Sequence, residues 1–136
     1  MTISDYMTET NMHKRDVFNN IKAIAERAME VAQFHDESKY SGEELPLLAT
    51  KTPEDHARAM EHHYRVNRHH PEHFQNGISG MCLVDLIEMY ADWLSDAEEE
   101  GVDFLQVLEE KQRKYQFSND LKNIFHNTFV QSHSNG

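Results

Sequence analysis

The chain has one cysteine, three prolines and five glycines in 136 residues, and thirteen Lys and Arg face twenty-four Asp and Glu. A single thiol excludes an intramolecular disulfide, and Cys82, between Met81 and Leu83, reads as a buried group in a reducing compartment. No segment approaches the roughly 20 apolar residues of a membrane span, and the opening MTISDYMTETNMHK lacks the basic start and apolar run of a secretory leader. A soluble, unprocessed cytoplasmic protein without membrane contact is expected. The net charge of −11 repels a phosphate backbone and argues against general nucleic-acid binding.

Sparse punctuation leaves room for long helices. Val17, Ile21, Ile24, Ala28 and Val31 recur at three and four residues and predict a helix from about Thr8 to Phe34. Residues 40–52 contain Gly42 and Pro46 and read as a connection with at most one short helix. Thr52 as N-cap, Pro53 in the first turn and Glu54-Asp55 at the positive dipole end predict a helix to about Asn67. Pro71, Gly77 and Gly80 make 68–80 an irregular loop. A helix resumes from Met81 to Glu100 and is stopped by Gly101. Asp103 and Ser118 are N-caps for helices 104–115 and 119–129, and the tail from Gln131 is expected to fray. Nothing alternates with period two. The expected fold is all-α, five or six helices in a single domain over 1–130, with a flexible tail at 131–136. Its C-terminal apolar positions, among them Phe104, Leu108, Ile124 and Phe125, either cover the core or make a homodimer contact.

In the helix 81–100, Leu83, Leu86, Ile87, Tyr90, Leu94 and Ala97 form the expected packing side, with Trp93 packed near the site. Asp85, Glu88 and Asp92 share another face at i, i+3 and i+7, so their carboxylates either converge on one site or form a solvated acidic face.

Seven of the ten histidines lie between residues 35 and 73. His56, His63 and His70 are spaced by sevens, as are His62 and His69, so a persisting helix would align each set in a stripe. Imidazole and carboxylate are the donors that hold first-row divalent cations. His35-Asp36, His62-His63, His69-His70 and Asp92 are therefore candidate ligands.

The run His35-Asp36-Glu37-Ser38-Lys39 resembles the His-Asp-x-Gly/Ser-Lys signature of HD-domain metal-dependent phosphohydrolases, and Ala91-Asp92-Trp93 resembles their later single aspartate. Over nearly its whole length, through HDESKY, HHYRVNRHHPEHF, GISGMCLVDLIEMYADW and FSNDLKNIFHNT, the chain is similar to an uncharacterised family of short phage and bacterial proteins. If it is phage-encoded, its compartment is the host cytoplasm. The HD resemblance implies a helical domain holding one or two ions of Mn, Mg, Fe, Co or Zn. His35, Asp36 and Asp92 match its core ligands, His62 or His63 with His69 or His70 would be the intervening ones, and His13 is the upstream candidate. Were 13–35 one unbroken helix, about 33 Å would separate its ends, so an intramolecular role for His13 needs a break near Asn19-Asn20.

The reaction so implied is hydrolysis of a nucleotide or other small phosphate ester by a metal-activated water. Asp36, Lys39 and Glu88 are the candidate catalytic residues, with Glu88 orienting the water or holding a ligand histidine. Lys39, Arg65 and Arg68 are candidate phosphate contacts, against the alternative of a solvated lysine and local ion pairs. From another class comes a non-catalytic metal- or nucleotide-binding protein that sequesters its ligand or meets another protein.

Overall fold

The computed structural model describes residues 1–133. Among them are six α-helices, three short 3₁₀ turns and no strand, as the all-α expectation required. The helices are α1 (Ile3–Gln33), α2 (Leu45–Thr50), α3 (Pro53–Val66), α4 (Leu83–Glu100), α5 (Phe104–Tyr115) and α6 (Asn119–His133). Helix α6 runs through Gln131–His133, where fraying was expected; the rest of the expected tail, 134–136, lies outside the described residues. The chain divides into two units, Met1–His35 and Asp36–Gly136.

The first unit is α1. It starts earlier than the apolar spacing suggested, because Thr2 and Asp5 form a capping box in which each side chain takes the other's backbone N–H, at 2.9 and 3.0 Å. It passes through Asn19-Asn20 without a break. None of its residues is buried.

In the second unit the core is aromatic. Met89, Trp93 and Ala97, spaced by fours on α4, are buried with Phe104 and Leu108 of α5, Phe117, and Phe125 of α6. Trp93 stacks on Tyr115 at 6.1 Å and on Phe117 at 6.0 Å, and meets Phe125 edge-on at 5.9 Å. This stripe differs from the expected one: Leu83 and Ile87 are exposed, while Leu86, Tyr90 and Leu94 pack at its border. Of the C-terminal apolar positions, Phe104, Leu108 and Phe125 cover this core, and Ile124 is exposed.

The caps follow the sequence. The Thr52 hydroxyl accepts from Asp55 N, Asp103 Oδ1 from Leu105 N, and Ser118 Oγ from Leu121 N. Gly101 ends α4 in the left-handed region at φ 70°, and Val102 N closes back on Ala97 O at 3.0 Å. Cys82 is exposed, contrary to the expectation of a buried thiol. It sits at the N-cap of α4, where its backbone N–H donates to Asp85 Oδ2 at 3.0 Å, a place that faces outward.

Candidate metal centre

Four short pieces of the second unit deliver the site. Asp36 stands before a 3₁₀ turn, Glu37–Tyr40, in the left-handed region at φ 56°. That conformation costs a non-glycine residue roughly 1 kcal/mol and is tolerated best by Asp and Asn. Helix α3 provides His63. Its C-cap Asn67 donates from Nδ2 to His63 O and to Ser38 Oγ, both at 2.8 Å, which ties the HDESK turn to the end of α3. The helix stops at Val66, so His69 and His70 lie in the following loop rather than on a continued stripe; the loop folds them back toward His63. Helix α4 provides Glu88 and Asp92.

These pieces bring together Asp36, His63, His69 and His70, each offering one ligand atom, with all four atoms within 4.8 Å of one another. Asp36 Oδ1 is 3.2 Å from His63 Nε2 and 3.3 Å from His69 Nε2. His63 Nε2 is 3.1 Å from His70 Nε2, and Asp92 Oδ2 lies 4.0 Å from His69 Nε2. His63 and His69 are each 1% exposed.

Two glutamates set the direction of the rings. Glu44 is fully buried. Burial would raise its pKa, but hydrogen bonds from Ser38, His62 and His63 outweigh it and hold the carboxyl below its usual range. An ionised carboxylate only accepts, so His63 Nδ1–H donates to Glu44 Oε1 at 2.8 Å and His62 Nδ1–H to Oε2 at 2.6 Å. On the other side, His69 Nδ1 lies 3.1 Å from Glu88 Oε2. With the Nδ1 protons given to glutamates, the Nε2 lone pairs of His63 and His69 point at each other's neighbourhood, at His70 Nε2 and at the Asp36 carboxylate. Such a convergence of acceptors requires a proton or a cation among them.

The donor set fits a cation. For metal–ligand bonds of about 2.1 Å, adjacent ligand atoms sit about 3.0 Å apart in an octahedron and about 3.4 Å apart in a tetrahedron. The separations of 3.1, 3.2 and 3.3 Å fall between these edges. A carboxylate on the ring nitrogen that faces away from the cluster, as Glu44 on His63 Nδ1, is the outer support that metal-ligating histidines usually have. His70 fits as well: burial, with His69 and His63 beside it, lowers its pKa to about 4, so the ring is a neutral donor at physiological pH. At His63 burial acts downward too, but the Asp36 and Glu44 carboxylates outweigh it and raise the pKa. What draws a proton there also draws a cation.

The other expected residues divide. His62 donates to Glu44 through Nδ1 as His63 does, but it is in neither group of converging ligand atoms, which corrects its assignment as a ligand. Both members of the pair His69-His70 enter, where one was expected. His35 closes the first unit. His13 is twenty residues before Gln33 on unbroken α1, about 30 Å along the axis, so the helix break that would have let it reach a site beside His35 does not exist. Lys39 Nζ meets Asp36 Oδ2 at 3.1 Å, its side chain 48% exposed. Its pKa is raised: burial acts against the charge, but Asp36, Asp92 and Asp96 prevail. Arg68 does not face the cluster. It forks onto Asp85 at 2.9 and 3.1 Å and lies over the Phe74 ring, which removes both Arg68 and Asp85 from the site. Arg65 is exposed on α3. Glu88 stands against His69 Nδ1, the position that its expected alternative of holding a ligand histidine requires. Glu44 was missed altogether; as one of twenty-four acids in a stretch read as a connection, it carried no periodic signal.

A profile of a family of unknown function, DUF5662, matches residues 2–131. The chain belongs to DUF5662. No curated protein and no solved structure matches it. The match to DUF5662 covers every residue of the cluster and both supporting glutamates, so the centre lies wholly inside the family's span.

Proposed function

We propose that this protein is a metal-dependent phosphohydrolase acting on a nucleotide or another small phosphate ester in the cytoplasm. The observation that carries the reading is the meeting of three imidazoles and two carboxylates, Asp36, His63, His69, His70 and Asp92, with His63 and His69 each backed by a glutamate. His35 joins them as the sequence neighbour of Asp36, on the strength of the HD resemblance. One or two divalent cations held there would acidify a water and neutralise phosphate oxygens.

The chain's own residues prepare the rest. Glu44 and Glu88 fix the ring directions, so no reorganisation is needed when a cation enters. Lys39, charged and half-exposed beside Asp36, would donate to a phosphate oxygen as a point charge. Because Lys39 is paired with Asp36, the positive charge that would let an acidic protein take an anionic substrate comes chiefly from the bound cation.

The test is phosphate release from a panel of nucleotides and phosphate esters by metal-loaded protein. Turnover that disappears in Asp36→Ala and falls in Lys39→Ala is expected. Metal bound in full with no turnover on any member of the panel would overturn hydrolysis and leave the sequestering role.

A further inference from the structure

Helix α1 has the pattern of a coiled-coil strand. Positions 3, 7, 10, 14, 17, 21, 24, 28 and 31 alternate steps of four and three along its whole length, and seven of the nine are Ile, Met, Val or Ala. A sustained 3,4 repeat over four heptads keeps one seam facing a partner helix as the pair supercoils. The polar exceptions are Thr10 and Lys14.

From Ile3 to Ile24 the seam is exposed, and Ala28 and Val31 at its end are half-buried. Ile3 is 82% exposed, Met7 59%, Val17 41%, Ile21 61% and Ile24 40%, with Phe18 beside them at 66%. With their exposed apolar neighbours Tyr6, Met12 and Met29, these side chains offer an apolar surface on the scale of the roughly 800 Å² that one partner contributes to a standard stable interface. Monomers rarely expose a contiguous apolar patch above about 300–600 Å². A helix of 31 residues without one buried side chain also lacks the packing from which most helical stability comes.

Charge favours a copy of the same helix as the occupant. The unit Met1–His35 holds four Lys and Arg against five Asp and Glu, while the remainder of the chain holds nine against nineteen. Two α1 helices therefore meet almost without net repulsion, their charges absorbed in flank pairs such as Lys22–Glu26 and Arg27–Glu30. A self-complementary seam is also what a two-fold dimer requires.

We infer that α1 is a homodimerisation helix, pairing along the 3-to-31 seam with α1 of a second copy. The inference stands apart from the metal and the reaction. It is tested by light scattering and sedimentation of the full metal-loaded chain, whose single-chain mass is 16.0 kDa. The wild type is expected at the mass of two chains. Ile21→Glu combined with Ile24→Glu is expected at one chain with its metal content kept. Ile124→Glu, at an exposed position of α6, is expected to leave the dimer intact. Lys14→Leu, which removes the charge from the seam, is expected to tighten association by about tenfold or more. A wild type at single-chain mass, or a dimer that survives the double glutamate substitution, would overturn the inference.

Discussion

Glu44 and Glu88 decide the direction of His63 and His69, and neither glutamate neighbours its histidine in sequence. Replacing either with Gln keeps the shape but ends acceptor-only behaviour, so the ring is no longer held with its lone pair toward the cluster. Glu44→Gln and Glu88→Gln should each weaken metal binding about 10–100-fold, measured by competition with a chromogenic chelator. Unchanged affinity would show that the rings are directed by packing alone. Asp85 belongs to stability instead. Burial acts to raise its pKa, but Arg68 and the Cys82 backbone N–H outweigh it and lower it. A carboxylate with a depressed folded pKa stabilises above its unfolded value of about 4, and that contribution fades as pH falls through the folded value. Asp85→Asn should therefore cost on the order of 1–3 kcal/mol at neutral pH, read from urea unfolding, with the gap from wild type closing below about pH 4. The residue scale is where sequence was least legible. Histidine and aspartate identities announced the donors, but the choice between His62 and His63 depends on which ring of α3 reaches Asp36 and His70, brought in from other parts of the chain. Arg68 read as a phosphate contact because a charge pattern cannot show that Asp85 stands opposite.

Elements were more legible, since caps and periodicity are local. Thr52, Asp103, Ser118 and Gly101 do in the structure what their residue types imply. Gly101 at φ 70° is a position where a Cβ is strained even with open space around it. Gly101→Ala should cost about 1 kcal/mol, visible as a lower melting temperature with metal binding unaltered. Gly80 is the opposite case. A Cβ there would stand 2.5 Å from Asn76 Oδ1 and 2.9 Å from Phe74 Cβ, so Gly80→Ala must move the loop that follows the ligand histidines. It should lower both the melting temperature and metal affinity, in calorimetry with and without added ion. Packing faces were harder to read. On α4 the apolar set Leu83, Leu86, Ile87, Tyr90 and the set Met89, Trp93, Ala97 are both at helical spacing, and which one is buried is decided by the aromatic residues of α5 and α6. The extension of the first helix to Ile3 rests on a capping box, Thr2 with Asp5, well before the Val17–Val31 spacing from which the helix was expected.

On the scale of the whole molecule, no helix of the described residues is long and apolar enough to cross a membrane. Buried ionisable groups concentrate at the centre: of the four buried polar residues among the described ones, Glu44, His63 and His69 belong to it. A cation bound there ties the HDESK turn, α3, the following loop and α4 together, and binding to the folded state alone adds stability by mass action, about 2.7 kcal/mol at a hundredfold excess over the dissociation constant. Chelation should lower the melting temperature, and acid should release the ion as imidazoles and carboxylates protonate. The most direct test of the metal centre is elemental analysis of protein purified without a histidine tag or chelator, beside Asp36→Ala and Asp92→Ala. One or two equivalents of a divalent metal per chain, lost in both variants while their circular dichroism stays helical, is the predicted result. A wild type that holds no metal even after soaking in Mn²⁺, Fe²⁺ or Zn²⁺ would contradict it.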